Sequence, residues 1–594
     1  MSVFVLEIGT EELPARFLAG LEAELREKFS AGLLAAGLEY GFLTVSSTPR
    51  RFLAYVENVA GKSRESEDVV TGPPVKASFD AEGRPTKAGE GFARAQGVDF
   101  SAVFTINTGK GEYVAVRKKS GGESAISILA DLCQNVVNSL SFPKRMRWGI
   151  GDYTFARPLR WILALLDDKV VSFRSCEVES GRATRGHRVH GFGPFALENA
   201  SGYFALMREQ GVTPDALARR EAIIDGGNAL AAGIGGKILW KESLLDEVQG
   251  LCEHPVPLLG SFEESFLEVP RAVLITSMDS HQKSFGLENP EGRLLPHFLT
   301  VLNITPVDEN IVRRGWEKVL RARLEDARFF WKTDLASSFD NWLDKLDKII
   351  FLAPLGSMGD KTRRISALAG WLAEVAGGVR KEDAIRAGRL SKADLASAMV
   401  GEFDTLQGIM GGIYADKMGE NPVVAQAISE QYLPAGPDSP LPANICGALL
   451  SIADKADTLV GCFGLGMMPT GAADPYALRR CVLGIARIMV EKKLRLKARD
   501  IFAKAQELYG EKKWKFTPSA TLDKLDDFFT MRLKNYFTGK GSETLLVEAV
   551  LLADANEVWA ASARLAAIQR FSARQDFSEA VLTFKRAANI IRKQ

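Results

Sequence analysis

Val3-Phe4-Val5-Leu6-Glu7-Ile8-Gly9-Thr10-Glu11-Glu12-Leu13-Pro14 opens the chain and decides how its first domain is read. The apolar run from Val3 to Ile8 predicts a buried strand, and Gly9 suits a sharp exit from it. Thr10 is then placed to cap a helix whose first turn would carry Glu11 and Glu12, where carboxylates favour the positive end of the helix dipole. Beyond it, Phe17, Leu21, Leu25, Phe29 and Leu33 recur every four residues, giving that helix one apolar face. Glu7 does not fit this pattern. A carboxylate inside an apolar strand needs an internal partner, and Arg50 or Arg51 is the nearest candidate.

Outward from this start, strands are expected near 43–45 and over 52–59, which makes a β-α-β-β opening. A helix is expected over 126–140. The segments 162–166 and 170–173 flank Asp167-Asp168-Lys169 as a hairpin would. The architecture is therefore α+β to about residue 335. From 340 onward the pattern is helical, most clearly over 363–376, 443–462 and 475–493, with Asp474 as N-cap and Pro475 in the first turn of the last. Loops rich in Gly and Pro fall at 434–442 and 464–475, and Lys512-Lys513-Trp514-Lys515 lies in a loop early in a third, helical region.

At 594 residues the chain needs several domains. Its 46% hydrophobic and 25% charged content is ordinary for a globular protein, and the net charge of +1 does not bear on nucleic-acid binding, which depends on local patches. Six scattered cysteines without a Cys-x-x-Cys pair suit reduced thiols. No leader or membrane span is read from the sequence, so a cytoplasmic location is expected.

Several candidate chemistries fail on residue type. There is no G-x-x-x-x-G-K-[ST] phosphate loop, and Gly464-Leu465-Gly466 lacks the third glycine and preceding strand of a dinucleotide fingerprint. The five histidines (187, 190, 254, 281 and 297) show no paired Cys-His spacing for zinc, so no metal site is expected. Cations near aromatics remain the best candidates. Lys144, Arg145 and Arg147 surround Trp148, with Arg157 and Arg160 soon after; phosphates would attract the cations and a base could stack on the indole. The plainer reading makes Trp148 core and the cations a solvated rim. Arg182, Arg185 and Arg188 alternate along an expected strand and so share no face. Arg313, Arg314, Arg321 and Arg323 precede Phe329-Phe330-Trp331, an aromatic run suited to core or a subunit contact.

The opening resembles the start of the beta subunit of bacterial heteromeric glycyl-tRNA synthetase. The resemblance continues in order through Thr48-Pro49-Arg50-Arg51, Gly83-Arg84-Pro85-Thr86, Pro143-Lys144-Arg145-Met146-Arg147-Trp148-Gly149, Phe155-Ala156-Arg157-Pro158 and Thr184-Arg185-Gly186-His187-Arg188. It goes on through His281-Gln282-Lys283, Leu324-Glu325-Asp326-Ala327, Gly359-Asp360-Lys361-Thr362 and Asp474-Pro475-Tyr476-Ala477-Leu478-Arg479-Arg480.

This resemblance implies an N-terminal region over 1–335 that includes a B3/B4-like domain, as in phenylalanyl-type synthetases. A helical HD-like domain over 340–494 would follow, and then, over 495–594, a linker and an incomplete helical anticodon-binding domain. The ending Phe584-Lys585-Arg586 resembles the last of these, and the chain is expected to stop inside it. Lys585 and Arg586 thus join Lys144, Arg145, Arg147, Arg157 and Arg160 as tRNA-binding candidates. HD-type phosphohydrolases hold metal through histidines, of which none follows His297; Asp454 and Asp457 alone do not make that site. The resemblance further implies a complex with an alpha subunit, as an α2β2 heterotetramer. That partner would use ATP with magnesium to activate glycine, while this chain binds tRNA(Gly) and carries no cofactor or catalytic residue. A noncatalytic RNA-binding scaffold and an HD-type phosphohydrolase are the alternatives.

Overall fold

Strand β1 (Ser2–Thr10) is the centre of a seven-stranded sheet, paired antiparallel with β3 (Arg51–Val59) on one side and with Leu159–Leu166 on the other. The computed structural model in which this is seen describes residues 2–80, 83–109, 111–149, 151–191 and 193–591, and gives only the backbone of 66, 68 and 118–120. β2 (Leu43–Thr48) adds to β3, so the expected β-α-β-β opening is present.

Alternation along β1 explains its unbroken apolar run. Phe4, Leu6 and Ile8 point to one face of the sheet, where helix α1 (Ala15–Ala35) and the helix Ala125–Ser139 pack. Val5 points to the other face with Leu53, Tyr55, Leu163 and Leu165, under Tyr203, Met207 and Val212. Both faces are covered, so apolar residues are needed at every position. Glu7 falls on the second face, among that apolar set. The expected apolar stripe of α1 is fully buried, each large side chain contributing about 1.5–3 kcal/mol.

Two details of the opening differ from the sequence reading. β1 runs on to Thr10, whose N–H donates to the Arg50 carbonyl at 2.8 Å. α1 starts only at Ala15, with no acid in its first turn and no side-chain cap. Thr10 is therefore strand, not cap, because pairing with both neighbours extends through it; Glu11 and Glu12 sit in the connection. Gly9 is not a turn glycine either. A Cβ there would lie 2.0 Å from the Trp161 ring, so glycine makes room for the indole.

The chain divides into two units, the first comprising Met1–Glu263 and Met278–Leu320, the second Glu264–Ser277 and Arg321–Gln594. Besides the large sheet, the first unit holds a three-stranded sheet (Ser66–Pro74, Glu112–Ser120, Phe104–Asn107). It also holds a four-stranded one (Lys237–Ile238, Phe285–Glu288, Leu294–Leu302, Val256–Ser261) packed by Ala216–Ala232 and Glu242–Gln249. The hairpin at Asp167-Asp168 forms as expected, Lys169–Val170 pairing back on Leu159–Leu166.

The second unit is helical, as its sequence predicts. Ile445–Gly464 is its core helix, buried at nearly every position, and Met358–Ala376, Leu478–Glu491, Ala498–Leu508 and Pro518–Gly539 pack around it. Met358–Ala376 opens with a capping box between Ser357 and Asp360, which accounts for the aspartate of Gly359-Asp360-Lys361-Thr362. Leu478–Glu491 begins three residues later than expected. Asp474 still serves its start, accepting the N–H groups of Leu478 and Arg479 at 2.9 and 3.0 Å. Among the described residues, no helix is long and apolar enough to cross a membrane.

Candidate nucleic-acid interface

Glu7 is the anchor of the first unit's polar centre. It is fully buried and accepts hydrogen bonds from the Trp161 indole N–H, the Tyr203 hydroxyl and the Thr184 hydroxyl, the last at 2.8 Å. Arg51, also fully buried, lies 3.4 Å from Glu7 and donates through Nε to Glu253 at 2.8 Å. The same guanidinium donates to the Arg185 carbonyl at 2.8 Å, and Thr48 donates to Glu253 at 2.6 Å. Burial by itself would lower the Arg51 pKa, but Glu253 and Glu7 outweigh it and hold the guanidinium charged. Burial works against the Glu253 carboxylate too, and Arg51 reverses that, leaving its pKa below the usual value. Buried charges persist only when paired and hydrogen-bonded in this way.

This network holds Trp161, and Trp161 carries a cationic cleft. Arg50, Arg51 and Arg185 lie over the indole at 5.7, 5.5 and 5.8 Å from its ring centre. Arg50, Arg160, Arg185 and Arg188 line a cleft of about 430 Å3 with Trp161 and Glu11. Glu11 Oε1 meets Arg160 at 3.2 Å and its Oε2 meets Arg188 at 3.1 Å, while Arg188 also binds Glu12. Four guanidiniums thus face two carboxylates, both already engaged. The two acids expected at a helix start instead orient arginines. The Arg50 Nε is buried without a hydrogen-bond partner, and burial lowers the pKa of this guanidinium, with Arg188 adding to the effect.

Close backbone approach shapes the cleft's rim. A Cβ on Gly186 would lie 2.9 Å from the Gly191 Cα, and one on Gly191 would lie 2.6 Å from the Gln210 carbonyl oxygen. The turn between these glycines holds His187 and His190, and His254 packs against both. His187, His190 and His254 stand with ring centres 5.0 to 6.1 Å apart. His190 Nε2 accepts the Thr305 N–H and His254 Nε2 shares a bond with the Thr305 hydroxyl, so these edges are occupied. Among the described residues, no three His, Cys, Asp or Glu side chains are placed to hold a metal ion.

The cations singled out from sequence are dispersed. Arg160 lines the cleft, and Arg157 donates to the Glu12 carbonyl at 3.2 Å close by. Lys144 is exposed. Arg145 bonds the Leu140 carbonyl and the Thr154 hydroxyl and stacks over Phe142, while Arg147 pairs with exposed Asp152 at 3.0 Å. Trp148 packs on the core and against Tyr153, which is the plainer of its two readings. Lys585 and Arg586 are exposed on the helix Phe577–Ile591 of the second unit. Sequence reasoning missed Arg50, Arg185 and Arg188 as a group. The expected strand ends at Arg185, and the turn at Gly186 returns Arg188 beside it, so strand alternation does not separate them. Arg182 stays structural, donating to the Asp168 carbonyl at 3.0 Å.

In the second unit Asp454 and Asp457 are occupied by internal cations. Lys361 lies 2.9 Å from Asp454 and 3.1 Å from Asp457, Lys392 lies 2.8 Å from Asp454, and Arg364 Nε donates to Asp457 at 2.6 Å. Burial opposes charge on Asp454, but the two ammoniums hold its pKa well below the usual carboxylate range. All six cysteines are free thiols.

The cleft thus gathers four arginines on a chain whose sequence carries no phosphate loop. The family model described as glycyl-tRNA synthetase beta subunit matches residues 4–552. The glycine–tRNA ligase beta subunit of Oleidesulfovibrio alaskensis is 63% identical over the whole of this chain and 86% of its own length. That of Nitratidesulfovibrio vulgaris is 64% identical with the same coverage, and that of Lawsonia intracellularis 48%. The chain belongs to the glycyl-tRNA synthetase beta subunit family.

Proposed function

We propose that this chain acts as the tRNA-binding subunit of a glycine–tRNA ligase, and that the Trp161 cleft is one of its contacts with the tRNA backbone. The observation that carries the assignment of the cleft is the excess of guanidiniums over carboxylates around a fixed indole, four against two. Phosphates bind such forks bidentately. Arg188 and Arg160 are half-exposed and held by Glu11, so their donors are oriented before a ligand arrives. Preorganised donors bind with less loss of side-chain freedom.

The complex uses ATP, and ATP-dependent activation of glycine belongs to an alpha subunit, in an α2β2 assembly in the cytoplasm. The lack of a phosphate loop in this sequence supports that division. We assign 340–494 to an HD-like region in which lysines stand against the aspartates, and 495–594 to anticodon binding with Lys585 and Arg586 as contacts. Lys144, Arg145, Arg147 and Arg157 remain secondary candidates beside Arg160. The test is glycine-dependent charging of tRNA by this chain with and without purified alpha subunit. Activity only with alpha present supports a dependent subunit. No charging with an active alpha subunit and folded chain would favour an RNA-binding scaffold.

A further inference from the structure

The segment Asp474-Pro475-Tyr476-Ala477-Leu478-Arg479-Arg480 has no task in the tRNA cleft, which lies in the other unit. Asp474 holds the first N–H groups of Leu478–Glu491 while Ala477 takes a left-handed conformation at φ 55°. Arg479 and Arg480 then line a cavity of about 440 Å3, together with Arg487 of the same helix, Arg532 and Tyr536 of Pro518–Gly539, and Lys540 just beyond. One carboxylate, the exposed Asp438, faces these five cations.

Their existing partners leave the charge largely uncompensated. Arg479 donates to the Gly471 carbonyl, and Arg487 to the carbonyls of Gly436 and Ser439, which bring no net charge. Glu491 approaches Arg487 only at 3.6 Å. Arg480 and Arg532 form no hydrogen bond or ion pair among the described residues; Arg532 rests over the Phe528 ring at 5.3 Å, and Lys540 over that of Tyr536 at 4.6 Å. Three buried polar atoms at the cavity have no partner: Arg479 Nε, Arg532 Nε and the Tyr536 hydroxyl. Buried polar groups are ordinarily satisfied, and orphans call for an explanation. Burial, and then the neighbouring Arg479, lower the Arg532 pKa, and Asp474, which is not among the residues lining the cavity, offsets this only in part.

The missing group must be anionic, rich in acceptor oxygens, and able to meet more than one guanidinium. Phosphate fits all three demands, and a carboxylate meets the charge less well. The volume is that of a small-molecule site, larger than one phosphate alone needs. We propose that this cavity binds the phosphoryl group of a nucleotide, either free or within an RNA backbone. In its RNA form the proposal rests on the tRNA-binding reading above; in its free form it does not.

The experiment uses the full chain, with AMP and inorganic pyrophosphate titrated by calorimetry and tRNA affinity measured separately. The variants are Arg480→Gln, Arg532→Gln and, as a control on general charge, the exposed Lys417→Gln. Binding of AMP that weakens tenfold or more in the two arginine variants supports a free-nucleotide site. No AMP binding, with tRNA affinity falling at least fivefold more in the arginine variants than in the control, supports an RNA phosphate. If Arg532→Gln lowers the melting temperature, exposed Arg480→Gln carries the comparison. Absence of AMP and pyrophosphate binding, with tRNA affinity equal in control and arginine variants, overturns the proposal while leaving the tRNA reading intact. AMP binding lost in the variants of a chain that does not hold tRNA does the reverse.

Discussion

The indole N–H of Trp161 donates to the buried carboxylate of Glu7, and the guanidiniums of Arg50, Arg51 and Arg185 lie over that same indole. One carboxylate therefore fixes the floor on which the cationic cleft stands. Replacing Glu7 with Gln puts an amide donor among three donors and removes one of the two anions that face Arg51. The expected loss is about 2–4 kcal/mol of stability, read by chemical denaturation. Lost charging with an unchanged denaturation midpoint would instead make Glu7 a functional contact.

Arg185→Gln and Arg188→Gln should fold normally and weaken tRNA binding, lowering the slope of log affinity against log salt by roughly 0.7–1 each. Arg188→Gln should be the more damaging. It also frees Glu11 Oε2 and leaves Glu12 with only Arg50 at 3.9 Å, so carboxylate charge is turned toward the phosphates. Equal effects of the two variants would deny Glu11 and Glu12 that role.

Gly9→Ala places a methyl group 2.0 Å from the Trp161 ring. Backbone on both sides is pinned by sheet pairing, so the indole must move. A loss of about 1–3 kcal/mol or more is expected, with a change in tryptophan near-ultraviolet dichroism. An unchanged spectrum would mean that the indole does not sit against residue 9.

Asp394 is buried, and burial raises its pKa to about 6, although the N–H groups of Gly408 and Gly411 donate to it at 2.6 and 2.9 Å. Its folded pKa lies above the unfolded value of about 3.9, so its contribution is complete below pH 4 and lost as pH rises through 6, by about 3 kcal/mol in all. Asp394→Asn keeps an acceptor for both glycines and does not titrate. The variant should gain stability relative to the parent between pH 4.5 and 7, measured as the difference in urea midpoints. A constant difference across that range would show that Asp394 does not titrate there.

Periodicity made the framework legible. The apolar run of β1, the four-residue stripe of α1 and the helical pattern beyond 340 each report burial along one element, which local sequence encodes. The Glu7–Arg51 pair was foreseeable because a buried carboxylate must find a cation. Element starts were harder. Thr10 and Asp474 have the residue type of an N-cap, yet sheet pairing keeps Thr10 in β1 and Asp474 acts from four residues before its helix. The cleft was hardest, since Arg50, Arg160 and the Arg185–Arg188 turn come from segments far apart in sequence that only the tertiary fold brings together. The histidine cluster was hidden likewise, His254 being distant in sequence from the turn that holds the other two.

Arg51 and Glu253 are separated by 202 positions. At ordinary rates of translation, roughly 5–20 residues per second, some 10–40 seconds pass between their synthesis. During that interval the nascent chain holds a guanidinium destined for burial without its principal counter-charge, and the arginines above it have no finished floor. The cationic cleft is thus finished late, once the distant glutamate has emerged and closed the centre beneath it.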